Sequence, residues 1–149
     1  MNKEFVMRGQ TASGETEVLN FSGNTPGYAY RLTEFELFPS TGIGSAAFEL
    51  LGTITAGKVA VTPTDPNFNN EGLIASAYHG TGASLTGSPG ENATVVNDTF
   101  LITQDLILMV QEQSGGSTPV NWQCRFVAEK LNNGEEAVTN FRQFNISSD

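Results

Sequence analysis

The chain has 149 residues, a formal net charge of −9 and only 15% charged residues, a size that suits one domain with its own core. Gly, Asn, Ser and Thr supply 56 of these residues, and because they favour turns and strands, the composition excludes a coiled coil or a helical bundle. The seven Lys and Arg residues are scattered singly, which disfavours direct contact with nucleic acid or with an anionic membrane.

The first half of the chain predicts extended segments separated by turns. Apolar residues recur there with a period of two, as expected for half-buried strands. The apolar face switches between Leu32 and Phe35, which predicts a β-bulge near Thr33–Glu34. The predicted strands cover residues 4–10, 15–21, 28–38, 46–56 and 59–62.

The second half of the chain continues this pattern and ends differently. Residues 63–71 form a predicted loop, residues 73–78 fit a strand or one helical turn, and the glycine-rich stretch 80–92 predicts a long exposed loop. Residues 100–111 are apolar on both parities, which predicts a strand buried on both faces. Further strands are predicted at 94–96 and 120–131, then a short helix near 135–143 and a terminal strand at 144–147.

Eight or nine strands with frequent turn signals predict a β-sandwich or a barrel. Long strands with long loops at their ends favour the jelly roll among these architectures. We therefore expect an all-β fold: a single-domain antiparallel β-sandwich over residues 1–149, jelly-roll-like, with at most the short helix near 135–143.

Catalytic and cofactor chemistry has little support in the residues. His79 and Cys124 are the only residues of their types, and Cys124 lies on the apolar parity of its strand, where a cysteine behaves as a small hydrophobe. No P-loop, dinucleotide fingerprint or GxSxG motif is present, so we expect no enzyme, no cofactor and no small-molecule substrate. No long apolar run or apolar leader is visible, and the single cysteine fits synthesis in a reducing cytoplasm.

One loop carries oxygen donors at alternate positions, the spacing that suits a hard cation such as calcium. The candidate ligands are Asp65, Asn67, Asn69 and Glu71. An EF-hand would need glycine and glutamate where this loop has Asn70 and Ser76, and Asn and Asp residues commonly cap turns. The expectation is therefore no bound metal, with these four residues as the alternative.

Two further binding chemistries remain open from the residues. Paired carboxylates could make a glycosidase, and the candidates are Glu34, Glu36, Glu49 and Glu129. Glu34 and Glu36 share a strand parity, but so do many solvated surface pairs. The aromatic side chains could form a sugar-stacking platform, although Trp122 lies on the apolar parity and is expected in the core. The candidate platform residues are Tyr28, Tyr30, Phe38, Phe68, Tyr78 and Trp122.

The two ends of the chain are polar with a few apolar anchors. Ordering such segments costs about 1–2 kcal/mol per residue in backbone entropy, so the anchors must reach a core or a neighbouring chain. We expect these ends to contact other chains or to pair as edge strands. The predicted partner-contact residues are Phe5, Met7, Phe141, Phe144 and Ile146.

Five stretches carry a resemblance: residues 11–21, 28–43, 66–77, 97–110 and 121–146. Over these stretches the chain resembles small structural proteins of marine tailed bacteriophages such as cyanophages. The resemblance implies a virion component, foremost a capsid cement or decoration protein on the outside of the particle, made in the host cytoplasm. The implied partners are other copies of the chain and a major capsid protein. A tail or fibre accessory, or a receptor- or glycan-binding β-sandwich, is the alternative.

Overall fold

The computed structural model describes residues 3–21, 27–41, 47–57, 59–81, 91–114 and 117–130. The described residues form eight β-strands and contain no helix, so the predicted all-β class is confirmed. The predicted helix at 135–143 and the terminal strand at 144–147 lie outside the described residues. The strands are β1 Lys3–Thr11, β2 Thr16–Leu19, β3 Tyr28–Pro39, β4 Phe48–Ala56, β5 Leu73–Thr81, β6 Glu91–Val96, β7 Leu106–Glu112 and β8 Val120–Lys130.

Two antiparallel sheets pack face to face as a β-sandwich. One sheet has the order β1-β8-β3 and the other has the order β2-β7-β4-β5-β6. β1 pairs with β8, β2 with β7 and β4 with β5. This nesting of pairs, from the two ends of the sequence inward, is the wrapped connectivity of a jelly roll. The departure is β6, which pairs with β5 and approaches β3 without forming a ladder with it.

The core lies between the sheets and comes from the residues that the alternating pattern places inward. On β8 the buried residues alternate with half-buried ones from Val120 to Phe126, as predicted, and Trp122 lies in the core at 8% exposure. The predicted bulge in β3 is confirmed by a register shift between Leu32 and Glu34. This shift keeps Leu32, Phe35 and Leu37 on the core side although their spacing changes parity.

Residues 59–62 are not a strand, and that prediction is wrong. Val61 is tied to β4 by side chains: Thr53 Oγ1 donates to its carbonyl oxygen at 2.6 Å, and its N–H donates to Thr55 Oγ1 at 3.2 Å. These two threonines are buried because the loop lies over them. This loop thus covers the C-terminal half of β4 on the side away from the core.

The predicted strand 100–111 is also shorter in the structure. β7 begins at Leu106, while Ile102 forms an isolated bridge with Tyr30 of the other sheet. The second face of β7 is half-buried, not fully buried as predicted, since only one face of this strand meets the core. Residues 73–78 belong to strand β5, which settles that open choice against a helical turn.

The predicted 80–92 loop is shortened from both ends. Gly80 and Thr81 close β5, while Glu91 and Asn92 open β6 and pair with it, Asn92 opposite His79 and Glu91 opposite Gly80. Residues 82–90 lie outside the described residues.

Candidate functional site

The sheet β1-β8-β3 presents a regular grid of polar side chains on the side away from the core. The registers of its two strand pairs align one residue from each strand in every row. Side chains alternate between faces, so these residues share a face and stay partly or fully exposed. We call them the outer face: Glu4, Val6, Arg8 and Gln10 of β1, Asn121, Gln123, Arg125 and Val127 of β8, and Arg31, Glu34, Glu36 and Phe38 of β3.

The charges of the outer face nearly balance, whereas the whole chain carries −9. Three arginines face three glutamates in its four rows, and Glu129, on the same side of β8, adds a fourth carboxylate. Arg125 lies between two carboxylates, with its Nε 3.4 Å from Glu34 Oε2 and its Nη1 4.0 Å from Glu4 Oε2. Arg31 Nε lies 2.7 Å from Glu129 Oε1 at the end of the sheet. Exposed pairs of this kind contribute little stability, about 0–1 kcal/mol each, but they leave a surface of low net charge.

A shallow depression of about 660 Å³ lies at one end of the outer face. Among its lining residues, Gln10 Nε2 donates to Asn121 Oδ1 at 2.9 Å, and Phe38 is 54% exposed. Arg8 and Glu36 add a cation and an anion to the lining. Amide, guanidinium and carboxylate groups beside an aromatic ring suit the polar, hydrogen-bonded contacts of a macromolecular interface.

The predicted contact residues Phe5 and Met7 lie on the opposite, core-facing side of β1. Both are half-buried and pack against the core. The Phe5 ring stacks on Phe126 with centroids 5.4 Å apart and meets the edge of Tyr30 at 5.6 Å. Their predicted role as partner contacts stays a prediction. The other three predicted contacts, Phe141, Phe144 and Ile146, lie outside the described residues.

Strand β1 forms one margin of the three-stranded sheet. It pairs with β8 through nine consecutive residues from Lys3 to Thr11, with no irregularity. Among the residues that the structure describes, no strand pairs with its other side. The margin is anchored at its far end by Trp122, whose Nε1 donates to the buried Thr11 Oγ1 at 2.9 Å.

The candidate cation loop is built as a series of turns. Asn67 Oδ1 accepts from the N–H of Asn69 at 3.0 Å, and Asn70 Oδ1 accepts from Gly72 N–H at 2.9 Å. This is the turn-capping role that the sequence favours over metal binding. The side chains of all four candidates, Asp65, Asn67, Asn69 and Glu71, are exposed. Within the described residues, no three His, Cys, Asp or Glu side chains cluster as metal ligands would.

The single histidine and the single cysteine have different surroundings. His79 lies on β5 with its ring centroid 6.1 Å from that of Phe38. Cys124 is fully buried in the middle of β8, and burial raises the pKa of its thiol. A raised thiol pKa favours the protonated form, which is a poor nucleophile. Burial, and to a lesser extent the neighbouring Tyr28, also raises the pKa of the Tyr30 hydroxyl.

The aromatic residues proposed as a sugar platform are spread over the molecule. Trp122 and Tyr30 are buried in the core, while Tyr28, Phe38 and Phe68 are 37%, 54% and 63% exposed. Tyr28 and Phe38 lie at opposite ends of β3, about 30 Å apart at the rise of a strand. Phe38 therefore stands as a single exposed ring beside the depression.

Sequence reasoning identified the inward residues of this sheet and passed over the outer face. The signal was present in β8, where Asn121, Gln123 and Arg125 alternate with the apolar residues. The balanced charge depends on residues about 90–120 positions apart, which no local pattern reveals.

The described residues include no helix long and apolar enough to cross a membrane. Compared with models of known protein families and with curated protein sequences, the chain matches none.

Proposed function

We propose that the chain is a virion structural protein, most specifically a capsid cement or decoration protein that binds the outside of the particle through its outer face. The observation that carries this proposal is the outer face itself: a polar surface with nearly balanced charge on a chain of net charge −9. Shell contacts of this kind use hydrogen bonds and shape, not strong charge. The resemblance to small structural proteins of marine tailed phages supports the same assignment.

The scaffold suits such a role physically. A sandwich with a core shared by two sheets holds the outer face rigid, so that little conformational entropy is lost on binding. The acidic remainder of the chain disfavours binding to packaged DNA and favours a position outside the shell. The proposed partners are other copies of the chain and a major capsid protein.

Counting the chain in purified particles tests the assignment. Quantitative mass spectrometry is expected to find it in a fixed ratio to the major capsid protein. Its absence from particles would refute a virion role, and a ratio matching tail proteins would place it on the tail or fibre instead.

A binding experiment tests the surface. Particles lacking the chain are mixed with purified protein and the bound fraction is measured. Gln123→Lys places a charge at the centre of the outer face and is expected to abolish binding. Val18→Lys is the matched control, because Val18 lies on β2 of the other sheet and is 61% exposed. Equal loss in both variants, or in neither, would contradict the assigned surface.

A second candidate function is glycan or receptor binding at the depression. The observation that favours it is the exposed Phe38 ring beside the donors of Arg8 and Gln10. A glycan array probed with the protein and with Phe38→Ala tests it, with Phe68→Ala as the control for an exposed ring elsewhere. Binding that is lost only in Phe38→Ala would support this function, and a flat array would refute it.

A further inference from the structure

We propose that two copies of the chain pair along β1, antiparallel and in one register, so that their three-stranded sheets join into a continuous six-stranded sheet. This inference rests on the proposed function, since it names the partner and the register of the oligomeric contacts proposed there. It goes further because it assigns the contact to backbone groups and predicts a dimer in the absence of any particle.

The direction of the backbone groups on β1 follows from the hydrogen bonds of β3. Tyr30 exchanges both of its backbone hydrogen bonds with Ile102, so its backbone points away from β8. Its register partner Ala128 therefore directs its own groups towards β1, where it pairs with Lys3. Groups alternate along an antiparallel strand, so the N–H and C=O of Glu4, Val6, Arg8 and Gln10 point to the open margin.

The other margin of this sheet is protected by described residues, whereas none of the described residues protects β1 in the same way. β3 is bent by its bulge, bridged by Ile102 and ends in Pro39, which has no N–H to donate. The crossing segment, residues 97–105 between β6 and β7, is also held by Arg31, whose Nη1 lies 2.8 Å from the carbonyl oxygen of Thr99. β1 has nine regular residues, and Val6 on it is 40% exposed. A long regular edge of this kind is a template for strand addition.

A two-fold axis through Val6 makes the strand complementary to itself. On the outer face, Glu4 then lies opposite the partner's Arg8, and Val6 lies opposite the partner's Val6. On the core side, Phe5 lies opposite the partner's Met7 at a position without hydrogen bonds, where side chains approach most closely. Both of these apolar side chains are half-buried in one copy, so pairing extends the core across the contact.

Registers with the axis moved by one or two residues along β1 give less favourable contacts. Moving the axis to Glu4 or to Arg8 sets like charges directly opposite each other, which is destabilising. Moving it to Phe5 places Lys3 opposite the partner's Met7, and moving it to Met7 places Val6 opposite the partner's Arg8. A shift of one residue turns the outer face of one copy towards the core of the other.

The test measures the oligomeric state of the full chain by sedimentation equilibrium over a range of concentrations. The wild type is expected to associate to twice the 15.9 kDa chain mass. Val6→Pro removes an N–H that points to the open margin and leaves the ladder to β8 intact, so it is expected to stay monomeric. Val18→Pro is the matched control. The backbone of Val110 on β7 bonds to Gly14 and Glu15, which shows which residues of β7 direct their backbone groups towards β2. It follows that the Val18 N–H points away from β7, as the Val6 N–H points away from β8.

Charge reversal tests the register without a proline. Arg8→Glu sets two pairs of carboxylates opposite each other in the dimer and is expected to weaken association by roughly tenfold or more. The double variant Glu4→Lys with Arg8→Glu restores opposite charges in exchanged positions and is expected to recover wild-type association within about threefold.

Several outcomes would overturn the inference. One is a wild type that stays monomeric at about 1 mM, a concentration at which a contact with a Kd of 1 mM would still be visible. Another is a dimer whose association Val6→Pro and Arg8→Glu leave unchanged. Slow hydrogen exchange of the Val6 amide in a monomer would show that the chain's own residues cover the margin. A chain that is monomeric in solution but abundant in purified particles would refute the pairing and leave the proposed function standing. A dimer absent from particles would do the reverse.

Discussion

Gly52 lies where β4 approaches the opposite sheet closely, and enlarging it is expected to destabilise the fold. It lies buried on β4 and faces two core residues of β3. A Cβ at this position would lie 3.0 Å from Phe35 Cζ and 3.1 Å from Leu37 Cδ2. Ordinary carbon contacts need about 3.5–4.0 Å, so Gly52→Ala forces the ring or the sheets to move.

The expected magnitude follows from two opposing effects. Replacing a glycine in a strand by alanine restores about 0.5–1 kcal/mol, because the unfolded chain loses less freedom on folding. Overpacking a close-packed core costs about 1–3 kcal/mol, and the Phe35 ring is only 1% exposed, so it has little room to yield. We expect a net loss of about 1 kcal/mol in the free energy of unfolding, or ~3 °C in Tm.

Urea unfolding followed by fluorescence provides the assay, because Trp122 is the only tryptophan and lies in the core. Phe35→Leu removes the Cζ atom that a methyl group at 52 would meet. The double variant should therefore be more stable than the sum of the single effects predicts, by about 1 kcal/mol. Phe126→Leu is the control. It removes the same atoms from a cluster with Phe5 and Phe21, so its effect should add to that of Gly52→Ala.

Two results would refute this reasoning. One is a Gly52→Ala variant at least as stable as the wild type. The other is an effect that adds equally to Phe35→Leu and to Phe126→Leu, since contact with Phe35 would then not be the cause.

Three further predictions concern buried polar groups and the thiol. Thr11→Val removes the acceptor of Trp122 Nε1 and should cost about 1–3 kcal/mol in urea unfolding, while Thr11→Ser should cost less. Glu112→Ala leaves two backbone N–H groups without their carboxylate acceptor, that of Ser114 among them. It should lower the denaturation midpoint more than Glu112→Gln, which keeps an acceptor oxygen. Burial raises the pKa of Cys124 in the folded state, so only the unfolded thiol ionises just above its ordinary value of 9.0. As the pH rises above that value, the free energy of unfolding should fall by ~1.4 kcal/mol per pH unit relative to that of Cys124→Ala. Equal pH slopes in the two proteins would contradict this.

The period of the apolar residues was sufficient to predict the strands that carry the core. β8 shows this directly, because Val120, Trp122, Cys124 and Phe126 alternate with polar residues and all four are buried. The bulge in β3 was predictable for the same reason, since a change of face within one strand requires an extra residue.

The errors at residues 59–62 and 100–105 arise from contacts that alternation does not encode. Val61 bonds to threonine side chains of β4 in place of a neighbouring strand. Ile102 has the apolar character of a core strand, yet its backbone pairs with Tyr30 in the other sheet as the chain crosses over. In both cases the sequence shows the propensity for a strand but does not show which residue the backbone will bond to.

The candidate site was least predictable because it is assembled across strands. Glu4, Glu34 and Arg125 look like ordinary solvated charges along the chain and become neighbours only once β8 lies between β1 and β3. The sequence placed Phe5 and Met7 at the N-terminal contact but could not show that they face the core. That orientation depends on the register with β8.

The placement of β6 links the fold to the proposed contact. In a fully nested arrangement β6 would pair with β3 and extend the sheet that carries the outer face, but here it pairs with β5. Among the described strands, this sheet therefore has three members and two margins. The crossing segment around Ile102, the bulge and Pro39 protect the margin at β3. The margin at β1 has none of these devices among the described residues, and its exposed residues are self-complementary in charge. A regular edge is an aggregation hazard unless something covers it, so the proposed pairing with a second copy would give this margin a cover that the described residues do not supply.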